Sequence, residues 1–292
     1  MIYLIASILV FTFLFVVFKL FERFKVDILQ AIVFNYIVAF ITSMIAYKYQ
    51  VGYSGLSVSK IMGMDWFYYT FGLGILFIVV FIIIAKVTQT NGLSVASVAT
   101  KMSVIIPIIF GLIYYHENLG LTKAIGILFA LAAVYLVSVK STTGIRIQKK
   151  DLYLPILVLL GSGIIDTSIK FLEEEYVSEH DISIFSATIF FSAGVLGIII
   201  IFFKFLKGNI KFEFKNIIGG IALGIPNYFS IFLLVKALRS DILESSGIFA
   251  VNNVSIVTLS TIAGILLFQE KLLPKNWLGI VLAILSIVLI AI

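Results

Sequence analysis

The sequence predicts an all-α integral membrane protein of ten transmembrane helices, arranged as two inverted five-helix repeats. Three observations lead there. Hydrophobic residues make up 61% of the 292 and charged residues only 12%, about half the charge of a soluble domain. Mean hydropathy is +1.17, and the apolar residues fall into runs long enough to cross a bilayer. Two distant segments also match at one fixed offset, and basic residues alternate between loops as an inverted repeat requires.

Breaking the chain at charges, Gly/Pro and polar clusters predicts spans at 2–21, 26–47, 65–87, 93–115, 119–140, 152–172, 181–206, 214–237, 241–268 and 274–292. Each can cross roughly 30 Å of hydrocarbon at about 1.5 Å per residue. The first run, Ile2–Phe18, has no basic leader and no clear small-x-small cleavage site, and is expected to stay as a helix. The connections are short, the longest being Lys48–Lys60, Lys140–Asp151 and Glu173–Asp181. Trp66 and Trp277 both begin spans, as interfacial belt residues do.

Gly111–Val134, "GLIYYHENLGLTKAIGILFALAAV", matches Gly264–Ile287, "GILLFQEKLLPKNWLGIVLAILSI". At an offset of 153, Gly111/Gly264, Glu117/Glu270, Leu119/Leu272, Gly126/Gly279, Ile127/Ile280 and Ala130/Ala283 are identical. This divides the chain into two halves, 1–142 and 151–292, of five spans each. An odd number of spans turns the second half upside down, a plan shared by many secondary transporters.

Lysine and arginine favour the cytoplasmic side. Lys19, Arg23 and Lys25 enrich the first loop, whereas its counterpart in the second half is acidic. Lys204, Lys207, Lys211 and Lys215 outnumber Lys48 and Lys60 in the next pair. With Lys140, Arg146, Lys149 and Lys150, these charges place both termini outside. The loop between the third and fourth spans, set against its counterpart, points weakly the other way.

Composition excludes several classes of function. There is no cysteine, so no disulfide, iron–sulfur cluster or thiol nucleophile is available. Two histidines, His116 and His180, cannot form a His-rich metal site. The net charge of +6 fits loops facing anionic lipid and does not argue for nucleic acid. No phosphate-binding glycine loop, nucleophile triad or metal-ligand spacing is present, and no loop has room for a nucleotide-binding domain. No cofactor and no metal are expected.

The chain resembles the EamA-like transporters of the drug/metabolite transporter superfamily. The features that carry the resemblance are the ten spans, the duplicated five-span unit and the end of each repeat. There a Gly-containing apolar helix runs into a glutamate, a polar turn and a Gly-bearing last helix. In the family's usual pattern the glutamate follows a glycine; here it follows His116 and Gln269. The proline before the closing helix appears only in the first half, as Pro107. The resemblance implies export or exchange of small metabolites and places both termini inside, against the loop charges.

The residues that do not belong in oil mark the candidate site. Lys101 lies eight residues into the fourth span, at roughly 12 Å depth. A charge there costs on the order of 3 kcal/mol, so it points into the bundle or lines a wet cavity. Asp166 lies in the sixth span, four residues before Lys170, and either pairs internally or carries a proton or substrate. Asn252 and Asn253 lie in the ninth span, the repeat mate of the fourth. Asn227 follows Pro226 in the eighth span, and Asn35 lies in the second. Each asparagine either lines a cavity or hydrogen-bonds between helices. Glu117 and Glu270 are expected to cap the next helix or pair with a basic neighbour.

The expected activity is secondary active transport of a small metabolite, an amino acid or similar solute, by alternating access in a bacterial inner membrane. Proton or exchange coupling would drive it. Its partners would be a small-molecule solute and membrane lipid, and it would act as a monomer or homodimer. A lipid flippase or channel on the same fold is the alternative; an embedded enzyme lacks a suitable cluster of acids or histidines.

Overall fold

The computed structural model describes residues 1–50, 57–114, 120–138, 149–178, 181–208, 211–238 and 245–291. Among these the chain is all-α: α1 (Ile2–Arg23), α2 (Ile28–Gln50), a short α3 (Val58–Met62), α4 (Tyr69–Thr90), α5 (Leu93–Lys101), α6 (Ile105–Tyr114) and α7 (Leu121–Ser138). There follow α8 (Lys149–Glu175), α9 (Ile182–Leu206), α10 (Phe214–Leu238), α11 (Ser245–Phe268) and α12 (Pro274–Ala291).

Among the described residues, eight segments are long and apolar enough to cross a bilayer, and α7 and α12 are shorter apolar helices. The protein is therefore an all-α, multi-pass membrane protein. Its helices are apolar on both faces, as lipid contact demands. On α1, Ile2, Ile5, Leu9 and Phe13 are exposed at three- and four-residue steps. Leu4, Ile8, Phe15 and Phe18 are buried on the other side.

The fourth expected span is present, long and apolar enough to cross a bilayer at Leu93–Gly111, but its helix is interrupted. That span is not one helix: α5 stops at Lys101, a 3₁₀ turn occupies Met102–Val104, and α6 begins at Ile105. Pro107 supplies the reason. It has no N–H to offer the carbonyl four residues back, that of Ser103, and its ring crowds that carbonyl. The chain tightens instead, with the Ile105 N–H reaching the Met102 carbonyl. Such a mid-span turn marks a hinge or a functional break.

The chain divides into two compact units. The first comprises Met1–Leu20, Ile83–Asp166 and Phe229–Ile292; the second comprises Phe21–Ile82 and Thr167–Tyr228. In the first, α7 packs along α12 and α5 along α11. In the second, α2 packs along α9. Small residues let the backbones approach, because apolar side chains gain little over lipid. Gly197 faces Val33 and Ile78, Gly224 faces Asn35 and Val38, and Gly163 faces Ile106, each with too little room for a Cβ. Gly72, by contrast, faces open space.

Trp66 is not a belt residue. It is 1% exposed and meets the Phe185 ring edge-on at 5.4 Å. Trp277 is 49% exposed, as a belt position requires. His116, Glu117, His180 and Arg239 lie outside the described residues, as does most of Lys140–Asp151.

Candidate functional site

Lys101 ends α5 at the 3₁₀ break, inside an apolar span. Its ammonium lies 4.1 Å from the centroid of the Phe11 ring on α1, a cation–π contact worth about 2 kcal/mol when desolvated. Lys101 and Asp166 are within electrostatic reach of each other. Among the described residues they form no direct ion pair. Asp166 is exposed although it lies mid-span, and Lys101 is half-buried. Two opposite charges thus stand apart, with Asp166 open to whatever fills the space beside it.

Ser103 in the 3₁₀ turn links the break to the carboxylate. Its Oγ lies 2.6 Å from the Thr100 carbonyl and 3.0 Å from Asp166 Oδ2. One hydroxyl proton serves only one acceptor at a time. A proton on Asp166 satisfies both contacts at once, with the carboxyl donating to Ser103 and Ser103 donating to Thr100.

α1 measures the distance to the asparagines. Ser7 Oγ donates to Asn252 Oδ1 at 3.4 Å. Ser7 and Phe11 are one turn apart on the same face of α1, so Asn252 and Lys101 contact neighbouring positions on one helix. Asn252 is fully buried, and its Nδ2 has no partner among the described residues. An unpaired buried donor costs about 1–3 kcal/mol, so this amide has an unused capacity for an acceptor. Asn253 follows it, 8% exposed.

Asn227 and Asn35 lie in the second unit. Asn227 Nδ2 donates to Asn35 Oδ1 at 3.2 Å, and both are buried. Beside them the Tyr36 ring is enclosed by Phe77, Phe81 and Phe190, with centroids 5.7–6.4 Å away. The six candidates therefore fall into two groups. Lys101, Asp166, Asn252 and Asn253 belong to the first unit; Asn35 and Asn227 belong to the second.

Sequence reasoning missed Ser7, Phe11 and Ser103. Ser7 carries a weak signal, a serine inside the apolar run Ile2–Phe18. Phe11 carries none, being one of 27 phenylalanines. Asp166 reads from the sequence either as an internal pair, with Lys170 on its own helix, or as a carrier of a proton or substrate. The Lys170 side chain lies outside what the structure describes, and the carboxylate reaches Ser103 directly and Lys101 at longer range. Glu270 also acts elsewhere than expected. Its Oε1 accepts from the Leu93 N–H at 2.7 Å, which caps α5 and not the next helix. α12 has its own cap, Asn276, whose Oδ1 accepts from the Leu273 N–H at 2.8 Å. No group of three or more His, Cys, Asp or Glu that could hold a metal occurs among the described residues.

Comparison with known proteins adds a relative and a fold. An uncharacterized protein of Haemophilus influenzae is 31% identical over 274 residues, covering 93% of this chain and 91% of that one. A crystal structure of another protein matches with a TM-score of 0.64 at 13% identity, over 99% of this chain and 94% of that one. At that identity the likeness extends to the fold alone. No family profile matches this chain.

Proposed function

The chain belongs to one family with the Haemophilus influenzae protein, and we propose that it is a secondary carrier for a small polar or amphipathic metabolite. It works by alternating access in a bacterial inner membrane, as a ten-span protein of two inverted five-helix repeats on an EamA-like plan.

What supports the repeat plan is the pattern of helices and their contacts. Adding 153 to the bounds of α7, Leu121–Ser138, yields those of α12, Pro274–Ala291. Among the described residues, three packings inside the units, α7 with α12, α2 with α9 and α5 with α11, join repeat mates. A pseudo-two-fold axis produces that pairing, since elements beside the axis meet their own equivalents.

The observation that carries the carrier reading is the pair Lys101 and Asp166. Two unlike charges sit mid-span at a helix break, within electrostatic reach but not in contact. An ion pair kept only for stability would close, because a desolvated charge is costly unless it is paired. Charges held open suit a solute that enters and bridges them, and broken helices are where carriers place such sites. Lys101 receives an acidic group of the solute, and the Nδ2 of Asn252, which meets α1 one turn from the Phe11 contact, offers a further donor. Asp166 exchanges a proton through its contact with Ser103.

The test is a thermal-shift screen of purified protein against amino acids, nucleobases, sugars, phosphorylated metabolites and lipids. A bound solute stabilises the native state by mass action, about 2.7 kcal/mol at a hundredfold excess over Kd. A ligand that stabilises the parent but not Lys101→Ala supports the carrier site. Stabilisation by lipids alone would move the reading to a flippase.

A further inference from the structure

We propose that Glu270 is a latch that holds α5 closed against the end of α11, and that its release lets α5 pivot at the Lys101 break. This rests on the carrier reading above and assigns the moving part of that site.

The N-terminus of α5 has no cap of its own. Gly92 precedes it and supplies no side chain, and its first turn carries no acidic residue. Its free N–H groups and dipole attract an anion. The anion comes from a residue 177 positions away: Glu270 Oε1 accepts from the Leu93 N–H at 2.7 Å, and Oε2 accepts from Ser94 Oγ at 3.4 Å.

Three features fit the local backbone to this carboxylate. Gln269 adopts a φ of +53°, a left-handed conformation that costs a non-glycine residue about 1–2 kcal/mol. That turn ends α11 and brings the Glu270 N–H back to the Gly264 carbonyl at 3.0 Å. Gly264 then makes room, since a Cβ there would lie 2.6 Å from Oε2. Gly92 makes room on the other side, at a φ of +107°, where a Cβ would lie 2.8 Å from Oε1.

The other end of α5 is built to turn. Its nine residues form a rod of roughly 13 Å, fastened by Glu270 at Leu93 and interrupted by the 3₁₀ turn directly after Lys101. Leu93 through Ala99 are all buried. A rod held at one end and hinged at the other moves when the holding contact breaks. The residue at its hinge is the lysine of the candidate site, so the latch governs access to α5 and the setting of Lys101.

The chain has no cysteine, so one introduced thiol reports without background. Ser97→Cys places it one turn inside α5, where the native side chain is 0% exposed. Labelling by a membrane-impermeant maleimide is followed in right-side-out and inverted vesicles, in the Ser97→Cys protein alone and combined with Glu270→Ala or Gly264→Ala. The second substitution expels the carboxylate without removing its charge, and alanine is at ease inside α11. The latch predicts labelling from one membrane side that rises about tenfold in both combinations, as loss of a helix cap of ordinary strength implies.

Unchanged labelling in Gly264→Ala, with cooperative unfolding preserved, would overturn the proposal; that variant decides if Glu270→Ala fails to fold. A rise from both sides would also overturn it, since it reports a loosened fold and not a gate. The carrier reading fails separately. In that case labelling rises in the variants, yet no solute in the thermal-shift screen depends on Lys101.

Discussion

Gly126 and Gly279 make the same contact on each other's helices. A Cβ on Gly126 would lie 3.2 Å from the Ser286 carbonyl and 2.8 Å from Ile290 Cγ1. A Cβ on Gly279 would lie 3.0 Å from the Ala133 carbonyl and 2.9 Å from the Val137 backbone nitrogen. Residues 133 and 137 are the mates of 286 and 290 at the offset of 153. The contact is reciprocal, but the obstacles differ. Gly126 meets side-chain atoms of Ile290 and Leu289 beside one carbonyl, whereas Gly279 meets a backbone nitrogen and a carbonyl as well as a side chain. Gly279→Ala should destabilise by about 1–3 kcal/mol, as overpacking does. Gly126→Ala should cost less, offset by up to about 1 kcal/mol of helix propensity. Thermal unfolding of the two variants in detergent checks the order; equal costs would count against the reciprocal packing.

Removing the lysine separates binding from architecture. Lys101→Ala loses the Phe11 contact and leaves Asp166 without its positive neighbour, but no closed ion pair is broken. The loss of stability should therefore fall below the roughly 3–5 kcal/mol of a broken buried pair. Loss of solute-induced stabilisation should be complete. A variant that melts early yet still responds to the same solute would make Lys101 structural.

Proton coupling depends on Asp166. In reconstituted vesicles, Asp166→Asn should abolish the dependence of transport on a pH gradient while leaving solute exchange measurable. Ser103→Ala should weaken that dependence without eliminating it, because the hydroxyl only completes the contact with Thr100. Retention of full gradient dependence in Asp166→Asn would end this part of the proposal.

Asn276 ties two helix ends together. Its Oδ1 caps α12 through the Leu273 N–H, and its Nδ2 donates to the Leu136 and Val137 carbonyls of α7 at 3.0 and 3.1 Å. Asn276→Ala removes a cap and leaves carbonyls without their donor. A loss of about 2 kcal/mol is expected, read as a lower Tm with solute binding intact.

The Asn35–Asn227 contact distinguishes glue from site. A double-mutant cycle with Asn35→Ala and Asn227→Ala should return a coupling near 0.6 kcal/mol, the size usual for polar contacts between membrane helices. Solute binding by both single variants would confine the pair to packing the second unit. Its loss would place them with Lys101.

Much of the fold was legible because hydropathy is a local signal. The span expected at 119–140 is α7, Leu121–Ser138, and that expected at 181–206 is α9, Ile182–Leu206. The break in the fourth span was also written in the chain, through Pro107, but its effect appears one turn earlier, at Met102–Val104. The candidate site was legible by type and not by partner. Lys101 and Asp166 stand out as charges in oil. Nothing in their neighbourhood names Phe11 or Ser103.

Residence in the membrane and the placement of the helices follow from the sequence by itself. Transfer free energy adds residue by residue along a segment, so it needs no knowledge of neighbours. Which polar groups meet was decided by tertiary structure alone. The rotation of a helix about its axis, and the approach a glycine permits, depend on residues far apart in the chain, 177 positions for Leu93 and Glu270 and 245 for Ser7 and Asn252. The Glu270 carboxylate reaches α5 in this way, and Ser7 and Phe11 bring Asn252 and Lys101 to one face of α1.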